Sequence, residues 1–341
     1  MDPISQTALG AVVGHVAGHR RLGAKAAVIG AVAGALPDID VLFSVGGDYF
    51  DQLVLHRGIT HSLFFAPVAG PALGWLVWYR ERRRNAAKAL ESRWPWIWVI
   101  TLALLSHPLL DLLTPYGTQL LLPFSDQRFA INAMPIIDPI YTAMLLLGLL
   151  AVRLRPNAAV PLAWATLLTS SSYLGYGWSL NERARLLAQA SLAELGVEHV
   201  QLAAFPTVLQ VHYRRLAART EDTDRLAYVS LWRPCEIVWQ AAPRGDAETV
   251  AAFLDSEDGR IFSWFTMGWA HYHGVRTGGG LVVHATDLRY GPSTDPRASF
   301  FAATLTRQPD GGQQITVNRN VPSSDELSLA KLFDDSYPTE C

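Results

Sequence analysis

The chain has 341 residues, of which 50% are hydrophobic and only 17% charged, a balance too apolar for an ordinary soluble enzyme and too polar for a chain embedded in lipid throughout. Its formal net charge of −2 argues against nucleic acid as a partner, because no basic stripe is left to neutralise phosphates. The two cysteines, Cys235 and Cys341, lack the spacing of a zinc knuckle or a redox motif, and a single disulfide between them stays open.

The apolar residues are concentrated in the first half, in runs close to the ~20 residues that cross a bilayer. They predict six spans, at residues 4–18, 24–45, 59–79, 94–113, 138–152 and 158–178. The first residues lack the basic region of a signal peptide, so we expect the first helix to be retained. A buried bundle in a soluble protein is the alternative, but tryptophans at the span ends favour a membrane interface.

Glycines four residues apart occur in the first two spans, at Gly10, Gly14 and Gly18 and at Gly30 and Gly34. Small residues with this spacing let two helix backbones approach closely. Basic residues fall in alternate loops, at positions 20–25, 80–93 and 153–155, which the positive-inside rule assigns to the cytoplasm. The N-terminus and everything after residue 178 are then expected outside.

The second half of the chain has a different pattern. Residues 1–178 are predicted to form the transmembrane metal-site domain and residues 179–196 an amphipathic connecting helix. Residues 197–322 alternate short β-branched runs, such as 208–213 and 227–232, with turn-rich stretches, and have helices near 247–255 and 258–268. Residues 323–341 are expected to be a loose polar tail. The predicted fold is therefore a multi-span α-helical membrane bundle followed by a small extracytoplasmic α+β domain.

Four of the predicted spans bring polar residues to one depth. At ~1.5 Å per residue, Asp38 and Asp40 lie about 21–24 Å along the second span, and His107 and Asp111 about 20–26 Å along the fourth. Both spans start in the cytoplasm, so these residues come close to the outer surface. His107 and Asp111 are four residues apart and project from one helix face, as two ligands of one metal must. The third and fifth spans begin at the same level, and they add His56, His61 and Asp138.

Electrostatics points to a metal in this layer. Four carboxylates gathered at a partly dry site repel each other, and one guanidinium, that of Arg57, cannot balance them. One or two divalent cations can, and a mixed His/Asp set suits zinc best, with manganese or iron as alternatives. The other interpretation is that some of these carboxylates cap helices or face external water.

Four motifs carry a family resemblance: Asp-Ile-Asp at 38–40, His-Arg-Gly-Ile-Thr-His-Ser at 56–62, Ser-His-Pro-Leu-Leu-Asp at 106–111 and Thr-Pro-Tyr-Gly at 114–117. In this order they resemble the YdjM-like metal-dependent hydrolases of the bacterial inner membrane, over roughly residues 1–150. The resemblance implies a membrane-embedded hydrolase that holds a divalent metal. Gln6 stands where many members have a histidine. The implied metal ligands are Asp38, Asp40, His56, His61, His107 and Asp111.

The expected chemistry is hydrolysis with water activated by the metal ion. Arg57 would hold an anionic oxygen, or else only screen the carboxylates, and Asp138 would act as the base. Since the site opens at the outer membrane interface, membrane lipids are the expected partners and a lipid-linked or headgroup phosphoester the expected substrate. Two alternatives remain, a transporter-like ion-binding protein and a non-catalytic scaffold that the ion stabilises.

Overall fold

The computed structural model describes residues 1–84, 92–278, 280–307, 313–318 and 329–341. Contacts divide the chain into two compact units, one made of Met1–Gly47 and Leu55–Gly177, the other of Asp48–Val54 and Trp178–Cys341. The first unit is helical, and the second is built around β-sheets. A helical N-terminal region followed by a β-sheet domain is therefore confirmed.

The helical region follows the apolar runs of the sequence. Asp2 caps the first helix by accepting a hydrogen bond from the Ser5 backbone, and Asp138 caps a later one through Tyr141. In chain order the helices are α1 (Pro3–Leu22), α2 (Lys25–Ala35), α3 (Tyr49–Leu55), α4 (Phe65–Arg84), α5 (Trp94–Asp111), α6 (Pro139–Leu154) and α7 (Ala159–Glu194). Two 3₁₀ segments, Leu36–Ser44 directly after α2 and Ile59–His61 before α4, carry site residues.

The six predicted spans are not confirmed. Among the described residues one helical stretch, Lys25–Ser44, is long and apolar enough to cross a membrane by itself. Two bent pairs raise the number to three if each is one span: Tyr49–His61 with Phe65–Arg84, and Pro139–Leu154 with Pro156–Glu194. The other helices fall short because polar and tryptophan residues dilute the hydropathy of α1 and α5.

Helices α1 and α2 pack through their glycines, as the four-residue spacing predicts. A methyl group on Gly10 would collide with the carbonyl oxygen of Gly30, and one on Gly14 with that of Ala26. On Gly34 it would lie 2.8 Å from the Gly10 Cα atom. This close contact fixes the end of α2 and the start of the 3₁₀ segment that follows it.

The second unit contains two four-stranded antiparallel sheets in which each strand pairs with the next in sequence. Their inner residues include Phe205, Leu226 and Trp269, which pack in one apolar cluster. The strands are β1 (Gln201–Pro206), β2 (Tyr213–Arg219), β3 (Thr223–Ser230), β4 (Gln240–Pro243), β5 (Ala270–Thr277), β6 (Gly280–Asp287), β7 (Ala302–Arg307) and β8 (Gln313–Asn318). The helices are α8 (Ala247–Leu254), α9 (Glu257–Phe265) and α10 (Leu329–Ser336), and the first two confirm the predicted pair.

A buried ion pair joins the two sheets within this unit. Asp224 of β3 accepts hydrogen bonds from Arg219 of β2, at 2.6 Å, and from His271 of β5, at 2.9 Å. Burial alone would raise the pKa of the Asp224 carboxyl, but these hydrogen bonds outweigh burial and hold that pKa below its ordinary value.

Three features of the second half differ from the expectation. The predicted strand at 208–213 is a turn, because the Gln210 side chain binds the backbone N–H groups of His212 and Tyr213 and so replaces strand pairing. The predicted connecting helix is continuous with the last predicted span, as the single helix α7. Residues 323–328 of the predicted loose tail lie outside the described residues.

The rest of that tail is packed rather than loose. Residues 329–336 form α10, and Ser230 of β3 donates a hydrogen bond to the Ser336 carbonyl oxygen at 2.6 Å. Cys341 forms a disulfide with Cys235. The sequence alone did not predict this disulfide, because the two cysteines are 106 residues apart.

Candidate metal centre

The predicted site residues come from four short pieces of chain within the helical unit. Asp38 and Asp40 lie on the 3₁₀ segment after α2, His56 and Arg57 follow α3, His61 ends the second 3₁₀ segment, and His107 and Asp111 lie one turn apart on α5. A straight α-helix would point residues 38 and 40 apart. Here they contact opposite nitrogens of one ring, that of His61.

Asp38, His61 and His107 form a group that could hold a metal ion. The two Nε2 atoms of His61 and His107 are 2.9 Å apart, and the Asp38 Oδ1 atom lies 3.5 Å and 3.3 Å from them. Oδ2 of Asp111 lies 3.3 Å and 3.6 Å from the same two nitrogens. Asp111 Oδ2 is therefore a fourth potential ligand atom beside the three atoms that form this group.

The hydrogen bonds around the two rings determine where their protons are. His107 Nδ1 lies 2.6 Å from the carbonyl oxygen of Gly34, which can only accept, so this nitrogen carries the proton. His61 Nδ1 lies 3.1 Å from a carboxylate oxygen of Asp40 and carries its proton for the same reason. If both rings are neutral, each Nε2 atom carries a lone pair and no proton. The two atoms then face each other and two carboxylates.

Such an arrangement needs a positive charge at its centre. A proton on one imidazole would satisfy one of the close contacts, whereas a metal ion satisfies all four ligand atoms. With metal–ligand bonds of ~2.0–2.1 Å, two ligands of a tetrahedral ion are about 3.3 Å apart. The five distances that involve a histidine nitrogen run from 2.9 to 3.6 Å, so these residues have the spacing expected of ligands around one ion.

Asp40 supports the cluster from outside. Its Oδ2 atom accepts hydrogen bonds from the backbone N–H of Arg57, at 2.9 Å, and the hydroxyl of Thr60, at 3.1 Å, as well as facing His61 Nδ1. Its Oδ1 atom lies 3.0 Å from His56 Nδ1. A carboxylate behind a metal-binding histidine fixes the ring and raises its basicity. In this geometry Asp40 and His56 are supporting residues outside the ligand group.

Arg57 lies beside the fourth ligand atom. Its backbone has φ +61°, a conformation rare for residues other than glycine that clusters at functional sites. The side chain is 4% exposed, donates to the Thr114 hydroxyl at 2.9 Å and lies over the Tyr116 ring, 4.7 Å from its centre. Its Nε atom lies 3.2 Å from Asp111 Oδ2 but makes no hydrogen bond to any described residue.

The charges at the site are unbalanced. Asp38, Asp40 and Asp111 are three carboxylates with side chains no more than 22% exposed. Among the described residues, the Arg57 guanidinium contacts Asp111 with a fixed positive charge, and the Met1 amino group also contacts Asp111. Gln6 adds a neutral donor, 3.1 Å from Asp111 Oδ1. The excess of negative charge favours a cation.

Asp138 is not one of the residues of the ligand group. Its carboxylate caps α6 and accepts a hydrogen bond from the Tyr173 hydroxyl at 3.1 Å. Its role as a base stays a prediction. Sequence reasoning missed the Gly34 carbonyl, for which no side-chain signal exists, and it missed Tyr116, although the Thr-Pro-Tyr-Gly motif contains it.

Comparison with known proteins identifies the family. Residues 1–184, more than half of the chain, match the family described as YdjM inner membrane protein. Inner membrane protein YbcI of Escherichia coli (strain K12) is 34% identical over 128 residues, which cover 37% of this chain and 69% of YbcI. Uncharacterized protein YfhP of Bacillus subtilis (strain 168) is 30% identical over 149 residues, which cover 41% of this chain and 42% of YfhP. No solved structure matches. The chain belongs to the YdjM family of inner membrane proteins.

Proposed function

We propose that the protein is a membrane-embedded, metal-dependent hydrolase whose ion is held by Asp38, His61, His107 and Asp111, with one further coordination position open to water. One observation carries the proposal: the Nε2 atoms of His61 and His107 lie 2.9 Å apart, and one carboxylate oxygen of Asp38 and one of Asp111 each lie 3.3–3.6 Å from both of them. A ligand set of two nitrogens and two oxygens favours zinc, and Mn²⁺ or Fe²⁺ are the alternatives.

A divalent ion bound there supplies Lewis acidity and activates water at neutral pH. Arg57 binds an anionic oxygen of the substrate, since its buried Nε–H has no hydrogen-bond partner among the described residues. Its contacts with Thr114 and Tyr116 hold the guanidinium in place for this role. Asp40 orients the His61 ring, and Asp138 is the proposed base.

The proposed substrate is a phosphoester carried by a membrane lipid. Anionic oxygens match both a divalent ion and a buried guanidinium. Membership of an inner membrane family supports a substrate met at the bilayer. We further propose that the β-sheet domain is extracytoplasmic. The alternating basic loops support this orientation, and so does the Cys235–Cys341 disulfide, because disulfides persist in oxidising compartments outside the bacterial cytoplasm.

The test combines metal content with hydrolysis. Detergent-purified protein is expected to contain about one equivalent of a divalent metal. His61→Ala should lose both the metal and the release of phosphate from a panel of phospholipids. Asp126→Asn, an exposed aspartate of the same unit, is the matched control and should retain both. Bound metal without hydrolysis of any ester would refute catalysis and leave an ion-stabilised scaffold. Absence of metal after saturation would refute the site.

A further inference from the structure

An apolar groove that includes Asp38 in its lining lies between α1 and the stretch Lys25–Ser44. It measures about 500 Å³, within the ~300–1,000 Å³ usual for small-molecule sites. Its walls are Thr7 of α1 and a row of aliphatic side chains from α2 and the 3₁₀ segment, and these are Ala31, Val32, Ala35, Leu36 and Ile39. Asp38 is the single charged residue of the lining.

Asp38 connects this groove to the ligand atoms. Its side chain is 22% exposed, whereas the side chains of His61, His107 and Asp111 are no more than 1% exposed. The groove is therefore an approach to the ligand cluster that ends at the one ligand whose side chain is partly open. A molecule lying in it would have one end at Asp38 and the rest against aliphatic side chains.

The position of the groove indicates what kind of molecule it binds. Lys25–Ser44 is the one stretch of the described chain that qualifies by itself as a membrane span. Two of the groove's residues on this span remain exposed, Val32 at 64% and Ile39 at 45%. In a bilayer such a surface faces hydrocarbon, so the groove opens sideways into lipid.

Charge complementarity defines the other end of the molecule. A divalent ion and the Arg57 guanidinium attract an anionic head group, while the groove offers no basic or uncharged hydrogen-bonding side chain except Thr7. A soluble phosphoester would leave this apolar surface unused, and a neutral lipid would leave the cationic end unused.

We infer that the groove binds the hydrocarbon chain of the substrate, a phosphate ester attached to a long alkyl or isoprenoid chain that reaches the metal site laterally from the bilayer. This inference rests on the proposed function for its anionic end. The groove binds the apolar chain of this substrate. It therefore narrows the substrate class to phosphate esters whose hydrocarbon chain fits between α1 and α2.

The test uses a dodecyl phosphate that carries a photoreactive diazirine near the end of its chain, added to protein in lipid nanodiscs. Labelled positions are mapped by mass spectrometry, and metal content is measured on the same samples. In the wild type the label should fall on the groove residues of α1 and α2. Ala31→Phe, which fills the groove, should reduce labelling there about tenfold, the effect of displacing about two methylene groups from apolar surroundings.

Val28→Phe is the matched control, because Val28 lies on the same helix, is 65% exposed and does not line the groove. It should leave the labelling unchanged. Val32→Asn makes the groove polar without filling it and should also reduce labelling, which covers the case in which Ala31→Phe fails to fold.

The possible outcomes distinguish a failure of the groove assignment from a failure of the metal site. Labelling that is spread over the helices, or equal in Val32→Asn and Val28→Phe, overturns the groove assignment even if the metal is present. Groove labelling that persists in a protein without metal upholds the groove and refutes the metal site instead. Loss of labelling in both groove variants with normal metal content supports the inference.

Discussion

Replacement of Asp40 by asparagine tests whether this residue supports a ligand or is one. The substitution removes the charge and preserves the shape of the side chain. An amide oxygen at the Oδ2 position still accepts from the Arg57 backbone, the Thr60 hydroxyl and His61 Nδ1. The amide NH₂ then faces His56, whose side chain is 28% exposed and free to present an unprotonated nitrogen. We therefore expect the variant to fold.

The expected cost is a weaker His61 ligand. Loss of a carboxylate behind a metal-binding histidine lowers metal affinity by about 10–100-fold, or about 1.4–2.7 kcal/mol. Asp38→Asn alters one of the four converging ligand atoms directly, and its loss of affinity should be clearly larger.

The assay is chelator competition on detergent-purified protein, with the exposed Asp126→Asn as the charge-matched control. The two site variants and the control are compared at one pH and one detergent concentration. Unchanged affinity in Asp40→Asn would refute the supporting role. A loss as large as that of Asp38→Asn would make Asp40 a ligand, as the family resemblance implies.

Three further predictions concern packing, the disulfide and acid stability. Gly34→Ala should lower the stability of the helical unit by about 1–3 kcal/mol, because the new methyl group would collide with the α1 backbone. Thermal melting measures this loss. Gly175→Ala is the control and should cause no loss, because nothing lies within 4 Å of the added methyl group. Cys235→Ser should destabilise the β-sheet domain by about 2–5 kcal/mol, seen as a lower melting temperature, whereas an unchanged melt would mean that the disulfide does not form. The lowered pKa of Asp224 means that its stabilising effect is present above the ordinary carboxyl pKa and is lost as the pH falls through the folded-state value. Asp224→Asn should therefore flatten the acid side of the melting profile, and a profile as steep as that of the wild type would contradict this.

Local periodicity was enough to predict part of the site. His107 and Asp111 share a helix face because they are four residues apart, and their ligand atoms lie 3.6 Å from each other. The convergence of Asp38 and His61 on the same point depends on tertiary packing. For these residues the order of the motifs and the expected shared depth gave the prediction, and no local pattern did.

Sequence could not separate ligands from supporting residues. Asp38 and Asp40 have the same chemistry, and only the turn of the 3₁₀ segment places one at His61 Nε2 and the other at Nδ1. The Gly34 carbonyl is equally hidden, since every residue has one. Its position follows from the glycine contact between α1 and α2.

The six predicted spans are not confirmed for a related reason. Helix α5 carries His107 and Asp111, and its polar residues make it less hydrophobic than a simple span. Both residues are fully buried in the protein and do not contact lipid. The free energy needed to place them in the membrane is therefore lower than their hydropathy implies. In the β-sheet domain, local turn chemistry at Gln210 overrode the β-branched residues that predicted a strand.

The central claim is that Asp38, His61, His107 and Asp111 share one divalent ion. Anomalous diffraction at the absorption edge of the metal found in the purified protein tests it most directly. The account predicts a single peak about 2.0–2.1 Å from both Nε2 atoms and from one oxygen of each carboxylate. A peak bound to other residues, or no peak at this point in crystals saturated with metal, would contradict it.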